Sequence, residues 1–191
     1  GSPMVTAQLS TTGGAVVQWR LEQYEDYPDL ETGQRVEMSE EPWLVSRAAG
    51  SGAALFSCSS PDTVTIGESP VDIVMEGPDG ALKTFTFTQG FYGFTVSKRS
   101  LDLNTSVGPG VLPVTETGAM QDRGYFKASW YGNDHEDEKS DKIEGLQPVG
   151  NVSWVATSSK YFTIVLIPEN MMRTDGYIAP GEGGSAEVSL D

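Results

Sequence analysis

The chain is predicted to be all-β, built of mainly antiparallel strands, and three observations carry that prediction. Nearly every periodic segment alternates apolar and polar residues with a period of two. The 22 glycines and 11 prolines supply the punctuation that many short strands require. Helical periodicity is missing: the polar, acidic stretch from Leu21 to Glu41 is interrupted by Pro28 and Gly33 and followed by Pro42, and reads as a long loop with short strands.

The elements follow in order. Val5, Ala7 and Leu9 alternate with Thr6, Gln8 and Ser10. After Thr11-Thr12-Gly13-Gly14, Ala15, Val17, Trp19 and Leu21 alternate with Val16, Gln18 and Arg20. Two alternating runs about a short glycine turn predict a hairpin. Val71, Ile73 and Met75 mark another strand, Gly77-Pro78-Asp79-Gly80 a turn, and Leu82 to Thr88 the returning strand. Past Gln89-Gly90 the pattern resumes over Phe91 to Val96. Further strands are expected near Tyr125 to Tyr131, Val152 to Thr157 and Tyr161 to Ile167. In the last of these, Ile164 to Ile167 leave no polar face, which predicts a central strand covered on both sides, with Tyr161 or Phe162 buried beside it.

Length and composition bound the rest. The opening Gly1-Ser2-Pro3-Met4 reads as a cloning scar, and residues 5–191, undivided by a Pro- or Ser-rich linker, as one domain. No apolar run approaches the roughly 20 residues of a membrane-spanning helix. The net charge of -15, with no basic cluster, argues against nucleic acid and against an anionic membrane surface. Cys58 is the only cysteine, which excludes an internal disulfide, and it reads as a buried structural thiol.

Candidate chemistry is sparse. His135 is the sole histidine, so a two-histidine metal site within the chain is excluded. It lies in Asn133 to Asp141, which reads as a solvated acidic loop and a poor place for a catalytic base. Asp134, Glu136, Asp137, Glu138 and Asp141 offer oxygen ligands there, without the spacing of a calcium-binding loop. No motif selects a carboxylate pair for glycoside hydrolysis. Gly13-Gly14 and Gly181 to Gly184 lack the following helix or Lys-Ser/Thr pair of a phosphate loop. Asn104 and Asn151 stand in sequons, at about chance frequency. No catalytic, cofactor-binding or metal-binding residue is assigned. Among the tryptophans, Trp19 and Trp154 are in register with apolar neighbours and are expected in the core. Trp43 and Trp130 are the ones free to stack on a ligand such as a sugar ring.

Three blocks carry a family resemblance. Leu9 to Tyr24 holds a Thr-x-Gly-Gly turn followed by an alternating strand ending in Leu-x-x-Tyr. Leu82 to Tyr92 holds a Lys-Thr-Phe strand, a glycine turn and a tyrosine. Trp154-Val-Ala156, then Lys160-Tyr-Phe162 and Ile167-Pro168, forms the third. In this order they resemble the periplasmic domain of the YidC family of bacterial membrane protein insertases. The resemblance implies a β-supersandwich, the fold of galactose mutarotase-like domains, at the periplasmic face of the inner membrane. It implies contacts with Sec translocon components, nascent membrane proteins or chaperones, and no catalysis by the domain itself, since that family's insertion activity resides in its transmembrane bundle. This chain departs from the pattern in lacking the family's final strand and helix, and in a shorter segment from Glu25 to Thr63. A carbohydrate-binding β-sandwich module is the alternative. A mutarotase-like enzyme would need a histidine and carboxylate pair in a cleft, against which the lone His135 argues.

Overall fold

The first hairpin turns where two adjacent glycines can adopt positive φ: Gly13 at 74° and Gly14 at 51°. A Cβ on Gly13 would also stand 2.8 Å from Val45 Cγ1, so the turn both needs glycine locally and packs tightly. The computed structural model describes residues 4–25, 35–38, 42–48, 52–99, 103–106, 125–168, 174–181 and 185–190. The fold is all-β: every paired strand among these residues is antiparallel, and helical structure is limited to 3-10 turns such as Pro78–Gly80 and Ser140–Lys142.

Strand β1 (Val5–Ser10) pairs with β2 (Ala15–Glu25), whose other edge takes β3 (Arg35–Glu37). Strand β4 (Val45–Ala48) pairs with the later β9 (Leu103–Ser106). A meander follows chain order: β5 (Ser57–Cys58), β6 (Val71–Glu76), β7 (Leu82–Phe87) and β8 (Phe94–Arg99). Between β6 and β7 the turn is tight, with Asp79 and Gly80 both at positive φ and the Ala81 N–H donating to Pro78 O at 3.0 Å. The second half holds β10 (Lys127–Tyr131), β11 (His135–Lys139), β12 (Gln147–Val152), β13 (Trp154–Ser158), β14 (Thr163–Leu166), β15 (Thr174–Pro180) and β16 (Ala186–Leu190). These form two sheets, ordered β11-β10-β13-β14 and β12-β15-β16.

Each half has its own core. The first is rich in rings: Trp19, Trp43, Phe56, Phe85 and Phe126 are buried, with Phe87, Phe94 and Cys58 packed against them. The second is aliphatic, with Ala128, Val155, Ile178, Ala186 and Val188 buried as β13 crosses β16. Thr157 is fully buried beside it, and its hydroxyl donates to Ala186 O at 2.7 Å. The halves interlock, because Phe126, Phe162 and Ile164 belong to second-half segments yet pack into the first core.

The hairpin predicted from the alternation about Gly13-Gly14 and the one about Gly77 to Gly80 are present, and the strand expected over Phe91 to Val96 runs from Phe94 to Arg99 beside β7. Several expectations need correction. Strand β14 ends its sheet in place of lying at its centre, so Val165 and Ile167 point outward, Ile167 being 70% exposed. Tyr161 is exposed as well, and Phe162 is half-buried. The acidic segment around His135 is a paired strand, β11, held to β10 residue by residue from Lys127↔Lys139 to Tyr131↔His135, so it is not a loop. Trp43 is buried, because the Val16↔Trp43 bridge folds it onto Trp19 at 6.2 Å between rings, and Trp154 is only half-buried. Cys58 is half-buried and not fully buried. The stretch expected to be a loop from Leu21 carries β2 as far as Glu25 and then β3, and its residues 26–34 and 39–41 lie outside the described residues. Strands β15 and β16 at the chain's end were not expected from the sequence.

Candidate functional site

The residues singled out for chemistry do not come together. His135 is exposed at the start of β11, its ring 5.7 Å from that of Trp154. On the same strand Asp137 faces Lys127, with Oδ2 3.5 Å from Nζ. Glu136 and Glu138 pair across from Trp130 and Ala128 and share their face. Among the described residues no three His, Cys, Asp or Glu side chains lie close enough to hold a metal ion. Of the sequons, Asn151 is exposed on β12 and Asn104 falls in β9.

The titratable group with the most unusual setting is one the sequence reading passed over. Lys83, on β7, is 1% exposed. Its Nζ donates to Leu44 O, to Ser46 Oγ at 3.1 Å and to Gly13 O at 3.5 Å. The ring of Phe85 lies 5.6 Å away. Leu44 has a positive φ of 58°, a conformation unusual for leucine. Burial, and then the like charge of Lys98, pull the Lys83 ammonium down to about 7. Lys83 thus ties the first hairpin turn to the segment leading into β4 and to the meander. Enclosed as it is, it reaches no surface where a substrate could meet it.

The surface feature with the strongest build is a group of rings at the seam between the halves. Tyr24 ends β2, Tyr92 lies in the β7–β8 turn, and Phe162 lies in the β13–β14 turn. Their rings meet, with centroids 6.1 Å apart for Tyr24 and Tyr92 and 6.2 Å for Tyr24 and Phe162, both edge-on. The Tyr92 hydroxyl donates to Gln23 Oε1 at 3.0 Å. Desolvation, and then Tyr24, raise the Tyr92 phenol above its ordinary value, keeping it a neutral donor at physiological pH. One residue before Phe162, Tyr161 stands 60% exposed, and Lys160 lies over both its ring, at 4.9 Å, and that of Tyr125, at 5.7 Å. Phe91, beside Tyr92, is equally open to solvent. The β13–β14 turn that presents this group is fixed by backbone bonding from Ser159 N–H to Phe162 O at 2.8 Å.

Such a surface suits contact with another molecule. Rings with polar tips bury large area at small entropic cost, and a patch of them is uncommon on a surface with no partner. Comparison with known protein families and with curated proteins finds no match to this chain.

Proposed function

We propose that the chain is the soluble periplasmic domain of a YidC-type membrane protein insertase. In this reading it has no catalysis of its own and supports insertion and folding of inner-membrane proteins through protein–protein contacts. One observation carries the reading. The three sequence blocks that resemble the insertase domain are remote along the chain, yet each brings a ring to the same spot: Tyr24 from the first, Tyr92 from the second, Phe162 from the third. The contact partners are Sec translocon components and nascent membrane proteins, and the aromatic end is the surface offered to them.

The test is retention of detergent-solubilised Sec components on the immobilised chain, beside a liposome flotation control and a glycan array. The expected result is specific retention, lost with Phe91→Ser and Tyr161→Ser together. Both side chains are well exposed, so the double variant keeps its fold. No lipid binding is expected, since the described surface shows neither a basic patch nor an apolar anchor. A carbohydrate-binding module is the second reading, favoured by the exposed tyrosines. Specific glycan capture without any membrane-protein partner would overturn the insertase reading in its favour.

A further inference from the structure

Along one side of the second half, β14 sits against β16. Along the other, β11 and β12 are the outer strands of their sheets, and a groove of about 380 Å3 lies between them. Trp130, Val149 and Ile178 form its apolar floor, and Glu136 and Glu138 stand along the β11 wall. The two edges differ in kind. Strand β12 carries Pro148, which has no N–H to offer, and its pairing with β15 slips between Pro148 and Gly150. Strand β11 has neither proline nor bulge and pairs one-to-one with β10. Its outer N–H and C=O groups therefore form a regular, open ladder, and among the described residues no strand occupies it.

Charge decides what that ladder admits. Between Gly132 and Gln147 there are six acidic residues against two lysines, within a chain of net charge -15. A second copy would bring the same acids edge to edge and be repelled. A basic strand would be drawn in. The stems of Lys or Arg side chains fit over Trp130 and Val149 while their heads reach Glu136 and Glu138.

We propose that the groove is a docking surface for an extended, basic segment of a partner protein, which adds as a strand to the outer edge of β11 and lays alternate Lys or Arg side chains along the groove. The inference rests on the groove alone, so its failure would leave the insertase reading, which rests on the aromatic end, untouched.

A short peptide of alternating Lys and Val, titrated calorimetrically into the chain, tests it. Binding is expected, weakening as salt rises, with amide shifts in the NMR spectrum along Glu136 to Lys139. Glu136→Gln with Glu138→Gln should weaken it by at least about tenfold. Glu136 is exposed and Glu138 half-buried, and an unchanged melting temperature will show the variant folded. The second arm reads backbone pairing directly. N-methylation of alternate residues should abolish binding in one phase, where the methyl groups face β11, and spare it in the other. Absence of binding overturns the proposal. So does equal binding by the double variant, or equal binding by both methylated phases, which would mean charge adhesion without strand addition.

Discussion

The two cores solve the same problem with different materials. The first is packed from rings and encloses a lysine; the second is packed from small aliphatic residues and encloses a threonine hydroxyl. Rings leave gaps between their edges, and a long flexible side chain can pass through such a gap to reach backbone oxygens. Close aliphatic packing leaves room only for a short hydroxyl, satisfied by one carbonyl at the facing strand. The lesson concerns buried polar groups. In each core the enclosed group is kept by backbone carbonyls within its reach, Leu44 O and Gly13 O for Lys83 and Ala186 O for Thr157.

Truncation in the cores measures the contrast most strongly. Phe85→Ala, in the first, should cost about 3–5 kcal/mol, and Ile178→Ala, in the second, about 2–5 kcal/mol, both by denaturant unfolding. Because Phe126, Phe162 and Ile164 bind the halves together, both variants should move one shared transition. Two separate transitions, each shifted by only one variant, would show the cores to be independent.

The buried lysine predicts an effect of pH that the second core lacks. The folded value for Lys83 lies at about 7, below the 10.5 of an exposed lysine. Between those limits the unfolded chain binds the extra proton, so this group makes stability rise as pH increases from about 7 and weakens it again on the way down. Lys83→Met should flatten that rise. In alkaline solution the variant should be the less stable by about 1–3 kcal/mol, since Leu44 O loses its donor. The gap should shrink as the pH falls from about 10.5 to about 7 and level off below that, where folded and unfolded chains both carry the charged lysine. Thermal melts of both proteins across this range make the comparison.

The smallest effect belongs to apolar residues outside both cores. Ile167→Lys should change stability by no more than about 0.5 kcal/mol, because the side chain already faces solvent. A loss of several kcal/mol in a melt would mean that Ile167 is covered in solution.

That last case shows what a sequence pattern can and cannot carry. The run from Ile164 to Ile167 encodes a strand, but nothing local encodes its place in the sheet order, so an edge strand with outward Val165 and Ile167 resembles a central one. The hairpins over residues 5–25 and 71–99 were readable because turn glycines and alternation agree there. Lys83 left a signal that went unused: it is in phase with Phe85 and Phe87, two inward rings, on a strand whose partners were already evident. The alternation of Ala186, Val188 and Leu190 likewise marks β16, although Gly176 blunts the pattern in its partner β15. The aromatic end could not be read in advance. Tyr24, Tyr92 and Phe162 are separated by most of the chain, and only the packing of the two halves brings them together.

The tie from Lys83 to Gly13 spans 70 positions of sequence. During synthesis the first hairpin leaves the ribosome long before the residue that locks its turn. At about 5–20 residues per second, roughly 4–14 s separate the two. Through that interval the turn has its own strands and the backbone bonds with Trp43, Ser46, Ala54 and Phe56, but Leu44 has no ammonium to draw its carbonyl into place. The hairpin turn is thus fully secured only once a residue 70 positions later has been made, and a nascent chain halted before Lys83 emerges should leave its first hairpin more open to protease than the finished chain.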